Sequence, residues 1–391
     1  MISKEIQMTP VGIDKISFFV PEFYIDMTDL ALARDVDPAK FHQGIGQDQM
    51  AVNPVTQDII TFATSAAQAI LTEQDKELID MVILATETST DESKAGAIII
   101  HGLLDIQPFA RSIEMKEACY AGTAGIQMAK DYVRQHPYRK VLVIASDIAK
   151  YGLGSAGEPT QGAGAVAMLI SENPSILELN DDVLSFSQDV YDFWRPTGQP
   201  YPSVDGKFSN ETYINTFATL WDEYTSRTGR EFKDFSALTF HTPYTKMGKK
   251  ALLPKLENED DLVQKQLLEQ YEHSITYSRR VGNLYTGSLY LGLISLLENS
   301  NQLKSGDLIG LFSYGSGTVG EFFSGTLVEG YEKSLRKVQH TALLDKRKNL
   351  TIPEYEEMFN QILDLSLNQT FDDSASFSIS EISNNHRIYK K

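Results

Sequence analysis

The chain contains one cysteine, Cys119, within the segment Glu117-Ala-Cys-Tyr-Ala-Gly-Thr-Ala-Gly125. The residues that follow predict a helix over 126–134, so we expect the thiol at a helix N-terminus. Unpaired N–H groups and the positive end of the helix dipole stabilise a thiolate there, which makes Cys119 a candidate nucleophile near neutral pH. The alternative is a buried structural cysteine, which is the commoner state of a free thiol. A single cysteine also excludes a disulfide or a multi-cysteine metal cluster within these 391 residues.

Two further reactive side chains come directly after apolar runs that are typical of strands. Glu87 follows residues 81–86, and His241 follows the apolar run that begins after Asp234. A carboxylate at such a position can act as a general base if burial raises its pKa, although a solvated loop carboxylate is the commoner case. A histidine followed by Thr-Pro is placed in a loop rather than a core, and the alternative is a hydrogen-bonded structural histidine. No two histidines have the spacing of a helical metal site, so we expect no metal.

Short apolar runs alternate with longer amphipathic stretches along the chain. The predicted strands are residues 81–86, 141–145, 165–170, 308–313 and 322–328. The predicted helices include residues 56–72, 122–134 and 287–297, and a capping box with proline in the first turn predicts another helix beginning at Thr351. The alternation of apolar strands with helices predicts an α/β fold with buried sheets.

Four features of the first half of the chain recur in the same order in the second half. The matches are Glu87 with His241 (154 residues apart), Cys119 with Asn283 (164), the strand ending at Asp147 with that ending at Tyr314 (167), and the strand beginning at 165 with that beginning at 322 (157). Any two α/β units share part of this layout, so the evidence for a duplication is that all four features recur in the same order. We therefore predict an internal duplication, with an N-terminal half over residues 1–172 and a C-terminal half over residues 173–391 that ends in a charged helical extension. Because sites in α/β sheets form beyond the carboxyl ends of strands, the paired polar residues are expected to converge if the halves pack about a pseudo-two-fold axis.

The charge of the chain limits the partners that it can bind. Lysine and arginine number 35 and aspartate and glutamate 53, which gives a net charge of −18. Such a charge disfavours nucleic acid and anionic membranes, and the sequence has no signal-peptide pattern or apolar run of membrane-spanning length. We therefore expect a cytoplasmic protein whose thiol stays reduced. Lys246, Lys249 and Lys250 form a basic patch that suits an anionic ligand such as a phosphorylated carrier, although a solvated helix face is a common alternative.

Two segments rich in glycine and proline, residues 151–164 and 195–206, are predicted to be ordered loops because they carry aromatic and apolar side chains. The aromatic loop pair Tyr191-Asp-Phe-Trp-Arg-Pro196 and Tyr201-Pro-Ser-Val-Asp-Gly206 is expected either to line a pocket or to pack between domains or subunits. The glycines of residues 161–165 and 314–317 do not form a dinucleotide-binding fingerprint, and the sequence has no P-loop or Gly-x-Ser-x-Gly elbow. We expect these glycines to let backbone N–H groups approach a substrate oxygen.

In combination, these motifs resemble those of 3-hydroxy-3-methylglutaryl-CoA (HMG-CoA) synthases, particularly the compact bacterial form. The segments that carry the resemblance are Glu117-Ala-Cys-Tyr-Ala-Gly-Thr-Ala, His241-Thr-Pro-Tyr-Thr-Lys-Met, Gly282-Asn-Leu-Tyr-Thr-Gly, Gly315-Ser-Gly and Tyr191-Asp-Phe-Trp-Arg-Pro, and the resemblance extends from Val11 to Lys390. It implies a thiolase-like fold with α-β-α-β-α layers, usually in a homodimer. It also implies condensation of acetyl-CoA with acetoacetyl-CoA and water to HMG-CoA and CoA through an acetyl-cysteine, in the mevalonate route to isoprenoids, with no metal or redox cofactor.

The resemblance assigns a role to each matching position. Cys119 corresponds to the nucleophile, Glu87 to the general base and His241 to the catalytic histidine. Asn283 corresponds to the residue that helps to hold the acetoacetyl group, and Ser316 to the residue whose backbone N–H completes an oxyanion hole. The other implied substrate-binding positions are Tyr120 beside the nucleophile, Asp147 and Asp192 in orientation and proton transfer, and Lys246, Lys249 and Lys250 near the CoA phosphates.

Two alternatives remain open on the sequence. A ketoacyl synthase that condenses an acyl-CoA with a malonyl carrier would also use Cys119, His241 and Asn283, but it obtains its carbanion by decarboxylation and needs no base such as Glu87. An inactive binding or scaffold protein on the same fold would be expected to lack the nucleophile or the base, and both are present. The substrate that is turned over distinguishes the two enzymes, and the absence of any acyl-enzyme would favour the scaffold.

Overall fold

The computed structural model describes residues 9–391. The strands are β1 (Val11–Phe19), β2 (Phe23–Asp26), β3 (Gln49–Val52), β4 (Ile79–Ala85), β5 (Arg111–Met115), β6 (Lys140–Ala149), β7 (Gly162–Glu172), β8 (Leu177–Leu179), β9 (Leu184–Ser187), β10 (Phe193–Trp194), β11 (Ser203–Val204), β12 (Ala237–Phe240), β13 (Leu308–Gly315), β14 (Val319–Leu327), β15 (Lys348–Asn349), β16 (Gln369–Thr370), β17 (Ser378–Ser383) and β18 (His386–Lys390). The α-helices are α1 (Met27–Ala33), α2 (Ile59–Gln68), α3 (Glu73–Leu78), α4 (Gly96–Leu103), α5 (Ala121–Gln135), α6 (Gly206–Thr228), α7 (Met247–Leu256), α8 (Asp261–Ser274), α9 (Ser278–Val281), α10 (Ser288–Asn299), α11 (Lys337–Asp345) and α12 (Ile352–Asn360). Each strand and helix for which the sequence predicts a start or a residue range is present, with ends that differ by a few residues.

One continuous sheet runs through the molecule. Within residues 9–391 its strands follow the order β12-β13-β14-β8-β1-β7-β6-β4-β5, with β9 paired beside β14. From its centre outward, the sheet consists of two equivalent series of strands, β1-β7-β6-β4 and β8-β14-β13-β12. In each series the first two pairings are antiparallel and the third is parallel. The two series meet where β1 pairs antiparallel with β8. This repeat confirms the internally duplicated α/β fold, whereas the division of the chain at residue 172 stays a prediction.

The helices lie in three layers around the two series of strands. Helices α5 and α10 share one apolar core with β1, β7 and β13, and the hydroxyls of Thr123 and Tyr290 join the two helices at 2.7 Å. Helices α2 and α4 pack on the outer face of the N-terminal strands. Helices α6 and α7 pack on the C-terminal strands in a core rich in aromatic rings. The expected α-β-α-β-α layering is therefore present, and the segments that precede α5 and α10 lie in its middle layer.

The C-terminal extension is helical only in part. The capping box predicted at the start of α12 is present, because the Thr351 side chain caps the Glu354 backbone and the Glu354 carboxylate accepts a 2.8 Å bond from the Thr351 N–H. Beyond Asn360 the helical prediction is wrong, since β16, β17 and β18 form a small antiparallel sheet. Ile379 and Ile382 of β17 are both fully buried although they are three residues apart, and the pairing with β18 has an irregularity between Ile379 and Glu381, so the strand lacks a simple alternating sequence signal. Among residues 9–391, no helix is both long enough and apolar enough to cross a membrane.

Candidate active site

A cavity of about 310 Å³ lies at the junction of the two halves. Four predicted site residues line it, each from a different element: Cys119 before α5, His241 after β12, Asn283 before α10 and Ser316 after β13. Aromatic side chains form much of the remaining wall, namely Tyr151, Phe193, Tyr213, Tyr244, Tyr285 and Tyr314. A largely apolar cavity with a few convergent polar groups is typical of a small-molecule site.

The Cys119 thiol lies at the wall of this cavity and donates a hydrogen bond to Oε1 of Glu87 at 3.1 Å. Cys119 lies at a helix N-terminus as its sequence predicts, because helix α5 begins at Ala121 with Tyr120 as its N-cap. The thiolate predicted from that position is not favoured, however. Burial, together with the nearby Glu87 carboxylate, raises the pKa of the Cys119 thiol well above its usual range. The resting cysteine is therefore a protonated thiol that needs a base, and Glu87 is in contact with it.

Asp147 lies beneath Glu87 and holds the turn that carries it. The Asp147 carboxylate is fully buried and accepts bonds from the Glu87 N–H at 2.7 Å, from the Thr86 hydroxyl at 2.9 Å and from the Thr286 hydroxyl at 2.7 Å. Burial, and secondly the negative charge of Asp147, raise the pKa of Glu87. Burial also raises the pKa of Asp147, although the hydrogen bonds that it accepts oppose this shift. Asp147 thus fixes the position of Glu87 and makes it a stronger base than an exposed carboxylate.

His241 is the first residue after β12, at the strand end and in the loop that its sequence predicts, but it is only 1% exposed and lies in the cavity wall. Its N–H continues the sheet ladder by donating to the Phe312 carbonyl at 2.8 Å, and its carbonyl accepts a 2.6 Å bond from the Tyr213 hydroxyl. The buried Nδ1 atom has no hydrogen-bond partner within residues 9–391. Burial lowers the pKa of His241 to about 3, so its imidazole is neutral near pH 7. A neutral imidazole in this position can offer one N–H to a ligand oxygen.

The side-chain amide of Asn283 has a fixed orientation. Its Oδ1 atom accepts 2.8 Å bonds from the Tyr285 N–H and from the Ser288 hydroxyl. These two donors identify the oxygen end of the amide, so the opposite end is Nδ2, which donates to the Tyr151 hydroxyl at 3.3 Å. An amide nitrogen carries two N–H groups, so the second is available to a ligand carbonyl in the cavity.

Ser316 reaches the cavity because Gly315 allows two backbones to pass very close together. A Cβ atom on Gly315 would lie 2.7 Å from the Tyr120 nitrogen and 2.8 Å from the Glu117 carbonyl, so a side chain there would push the two segments apart. Asp192 anchors the other side of the same turn. This fully buried carboxylate accepts bonds from the Gly317 N–H at 2.9 Å and the Tyr314 hydroxyl at 2.8 Å.

Several predicted substrate-binding residues do not line the cavity. Asp147 and Asp192 support its wall from behind, and the Tyr120 hydroxyl turns away to donate to Glu321 at 2.7 Å. These three residues position neighbours of the cavity and are not placed to contact a ligand in it.

The three lysines lie at the start of α7, next to Tyr244 and Met247 of the cavity wall. Lys249 forms an ion pair with Glu272 at 2.7 Å, and Lys250 donates to the Tyr244 hydroxyl at 2.9 Å. Lys246 forms no ion pair with another residue in the described part of the chain. The three are therefore not equivalent, and Lys246 and Lys250 are better placed to meet an anionic ligand than Lys249.

Sequence reasoning missed some residues at the site and located others only as parts of loops. The predicted pocket-lining loops do supply Phe193 and Val204 to the cavity, whereas Tyr151 comes from the glycine-rich loop 151–164, for which the sequence predicts no such role. Arg195, from the same aromatic motif, donates to the Glu87 carbonyl. Thr286 holds Asp147, and no local sequence signal marks it except its position close after Asn283.

Known proteins share this fold and these segments. The N-terminal model of hydroxymethylglutaryl-coenzyme A synthase matches residues 7–175, and the C-terminal model matches residues 182–268 and 260–386. A hydroxymethylglutaryl-CoA synthase of Enterococcus faecalis is 64% identical over 380 residues, which cover 97% of this chain and 99% of that protein. A crystal structure of an HMG-CoA synthase complexed with CoA superposes with a TM-score of 0.95 at 46% identity, covering 98% and 100% of the two chains. The structure of MvaS in complex with 3-hydroxy-3-methylglutaryl coenzyme A gives a TM-score of 0.87 at 35% identity, covering 98% and 99%.

Proposed function

Because the chain belongs to the hydroxymethylglutaryl-CoA synthase family, it condenses acetyl-CoA with acetoacetyl-CoA, and we propose that Cys119, Glu87 and His241 carry out this reaction. The observation that carries the proposal is the 3.1 Å hydrogen bond from the Cys119 thiol to the Glu87 carboxylate. This pair lies at a cavity that His241 and Asn283 also line. A nucleophile, its base and two neutral hydrogen-bonding groups are what a covalent condensation between two thioesters requires.

In the first step, the Cys119 sulfur attacks the thioester carbon of acetyl-CoA. Glu87 accepts the thiol proton as the new carbon–sulfur bond forms, and the tetrahedral intermediate then expels the sulfur of CoA. The proton passes from Glu87 to that sulfur, so the products are acetyl-Cys119 and CoA-SH, and Glu87 is a carboxylate again. The covalent bond keeps the acetyl group in place while acetoacetyl-CoA enters.

In the second step, Glu87 removes a proton from the methyl group of acetyl-Cys119. The negative charge moves to the thioester oxygen, where backbone N–H groups of Cys119 and Ser316 stabilise the enolate. The close passage of backbones at Gly315 supports this oxyanion hole, because it brings the Ser316 and Cys119 segments side by side. The raised pKa of Glu87 suits the task, since a stronger base removes a carbon-bound proton more readily.

In the third step, the enolate carbon adds to the ketone carbon of acetoacetyl-CoA. His241 and the second N–H of the Asn283 amide polarise the ketone oxygen, and the resulting alkoxide takes up the proton held by Glu87. Water then cleaves the thioester to Cys119, which yields the free carboxylate of HMG-CoA and restores the thiol. One acetyl-CoA, one acetoacetyl-CoA and one water give one HMG-CoA and one CoA.

The two solved relatives hold CoA and 3-hydroxy-3-methylglutaryl coenzyme A, respectively. We propose that this chain takes its CoA substrates at the cavity lined by Cys119, with their phosphates near Lys246 and Lys250. The net charge of −18 supports a local cationic site, because a strongly acidic surface would otherwise repel an anionic ligand.

We further propose a cytoplasmic homodimer. Strand β5 ends the strand order and pairs only with β4 within residues 9–391, and Phe109 just before it is 92% exposed. An unprotected edge strand beside an exposed aromatic ring is typical of a surface that pairs with another chain. A reducing compartment suits a mechanism that depends on one free thiol. Light scattering should give twice the 43.7 kDa mass of the chain, and a Phe109→Asp variant should reduce that mass.

Mass spectrometry of the intact protein tests the proposed reaction. Acetyl-CoA alone should add one acetyl group, and the later addition of acetoacetyl-CoA should remove it and produce HMG-CoA. Formation of a product only with a malonyl carrier would instead support the ketoacyl synthase. That enzyme is disfavoured because Glu87 has no task in a decarboxylating mechanism.

A further inference from the structure

A chain of buried polar contacts connects helix α12 to the loop at the cavity. At its outer end is Glu158, a carboxylate only 2% exposed, which accepts two 2.9 Å bonds from Arg34 and one at 2.8 Å from the Gly154 N–H. A fourth bond comes from the hydroxyl of Tyr355 on α12, at 3.0 Å. Each Glu158 oxygen thus accepts two bonds, so the carboxylate fixes the orientation of the Tyr355 hydroxyl.

The chain continues inward through Gln161. Its Nε2 atom donates to the Tyr355 hydroxyl at 3.1 Å, and its Oε1 atom accepts the Tyr151 N–H at 2.7 Å. Gln161 is 3% exposed, so both ends of its amide are occupied away from water. Tyr151 in turn lines the cavity, and its hydroxyl accepts the 3.3 Å bond from Nδ2 of Asn283.

The backbone of Gln161 reaches the same asparagine by a second path. Gly162 forms an isolated β-bridge with Gly282, the residue before Asn283. A Cβ atom on Gly282 would lie 1.9 Å from the Gln161 carbonyl oxygen, and Gly282 has a φ of +91°. Both the close approach and the backbone angle require glycine here. Gln161 is therefore in contact with the supports on both sides of Asn283.

We propose that Gln161 and Tyr355 are positioning residues for the condensation step and act through Tyr151 on the Asn283 amide. The inference rests on the proposed function, in which Asn283 donates to the ketone oxygen of acetoacetyl-CoA. Because two bonds hold Oδ1 of Asn283, the direction of its free N–H depends on the remaining bond from Nδ2 to Tyr151. Tyr355, Gln161 and Tyr151 form a hydrogen-bonded relay that fixes the backbone of Tyr151 and thereby the direction of the free N–H of Asn283. Acetylation of Cys119 does not use the Asn283 amide, so the relay acts on one half-reaction only.

Two variants test the relay at successive links. Tyr355→Phe removes one hydroxyl and leaves the buried Nε2 of Gln161 with only the Met50 sulfur, at 3.9 Å, as an acceptor. Gln161→Met keeps the length of the side chain but removes both amide groups. We expect kcat/KM for acetoacetyl-CoA to fall about tenfold in each, the effect of one lost hydrogen bond in the transition state. The rate of acetylation of Cys119 by acetyl-CoA should stay within about twofold of wild type.

Tyr389→Phe is the matched control. The Tyr389 hydroxyl also donates to a buried carboxylate, Asp58, at 2.7 Å, and neither residue lines the cavity. If the relay merely stabilised the fold, Tyr355→Phe and Tyr389→Phe would lower the melting temperature by similar amounts. Neither variant would then slow condensation more than acetylation. The proposal requires a condensation defect in Tyr355→Phe that Tyr389→Phe lacks. Should Gln161→Met fail to fold, the milder Tyr355→Phe decides the question alone.

The outcomes separate this inference from the proposed function. Unchanged condensation in Tyr355→Phe, or an equal loss of acetylation and condensation, would overturn the relay. Failure of the wild-type chain to acetylate or to form HMG-CoA would overturn the proposed function itself.

Discussion

The thiol of Cys119 donates a 3.1 Å hydrogen bond to the carboxylate of Glu87, 32 residues earlier in the chain. Burial raises the pKa of both groups; the charge of Asp147 adds to the shift of Glu87, and the charge of Glu87 adds to the shift of Cys119. The thiol therefore keeps its proton at rest and passes it to Glu87 as the sulfur attacks. The same carboxylate is then next to the acetyl group that it must deprotonate, so one residue can serve two successive steps.

Replacement of the nucleophile should abolish the covalent intermediate. We expect Cys119→Ala to show no mass gain of one acetyl group with acetyl-CoA, and HMG-CoA formation to fall on the order of 10³-fold or more. The chain has no second thiol, so any acetyl-thioester in the wild type must be on Cys119. An acetylated Cys119→Ala protein would show that another residue is the nucleophile.

Replacement of the base should separate the two half-reactions. Glu87→Gln removes the negative charge that raises the Cys119 pKa, which partly compensates acetylation for the loss of the proton acceptor. The methyl proton has no comparable alternative base, so condensation should fall at least about 10²-fold. Acetyl-enzyme should therefore accumulate and persist after acetoacetyl-CoA is added, as intact-mass measurements can follow. Near-normal turnover would contradict the assignment of Glu87.

Removal of the cavity histidine should affect the second substrate more than the first. His241 is neutral and lines the cavity, so its role is to polarise the ketone of acetoacetyl-CoA. In His241→Ala we expect kcat/KM for acetoacetyl-CoA to fall by roughly 10²-fold and acetylation to fall much less. His340→Ala is the control, because His340 is equally buried but binds Glu298 and Ser17 outside the cavity. The reverse pattern, with acetylation the more affected step, would rule out this role.

Much of the fold can be predicted from local patterns. The strands and helices around the cavity are long apolar or amphipathic runs, and the duplicated order of β4, β6 and β7 with β12, β13 and β14 leaves a sequence signal at a nearly constant spacing. The candidate site follows in outline, since polar residues after equivalent strands reach one cavity. Local patterns therefore predict that Cys119, His241 and Asn283 lie at one cavity.

The chemistry of those residues depends on contacts that local patterns do not contain. Burial, and secondly a carboxylate from a distant turn, raise the pKa of Cys119, whereas the sequence around it predicts a lowered value. His340 lies in a charged run but is 2% exposed, because Glu298 of α10 accepts its Nδ1 proton at 2.8 Å. Gln161 directly precedes the glycines at 162 and 164, but only its contacts to Tyr355 and Tyr151 reveal a role for its side chain. Such pairings join residues that are remote in the chain.

The lysines at the start of α7 should differ in their effect on CoA binding. Lys246→Ala should raise KM for both CoA substrates about five- to tenfold, because it removes a cation that no acidic residue of the described chain neutralises. Lys249→Ala should change KM by less than about twofold, since Glu272 already pairs with that ammonium. The Lys246 effect should shrink at high ionic strength, which screens charge. Equal effects of the two substitutions in a salt titration would argue against this distinction.

The acidic limb of the condensation rate should depend on Asp147. Condensation needs the Glu87 carboxylate, so kcat should rise with pH as Glu87 loses its proton. The negative charge of Asp147 contributes to the raised pKa of Glu87, and Asp147→Asn removes that charge. The pKa of Glu87 should therefore fall, and the midpoint of the pH–kcat profile should move to lower pH by about one unit.

Asp147→Asn also replaces an acceptor that the Thr286 hydroxyl and the Glu87 N–H both use, so some loss of stability is expected. The midpoint of a pH profile does not depend on the amount of active enzyme, which separates the electrostatic effect from partial unfolding. Asp192→Asn is the control for the midpoint alone, because Asp192 is equally buried but acts on the turn after β13 rather than on Glu87. A midpoint that stays in place in Asp147→Asn, or that moves equally in Asp192→Asn, would mean that another group sets the acidic limb.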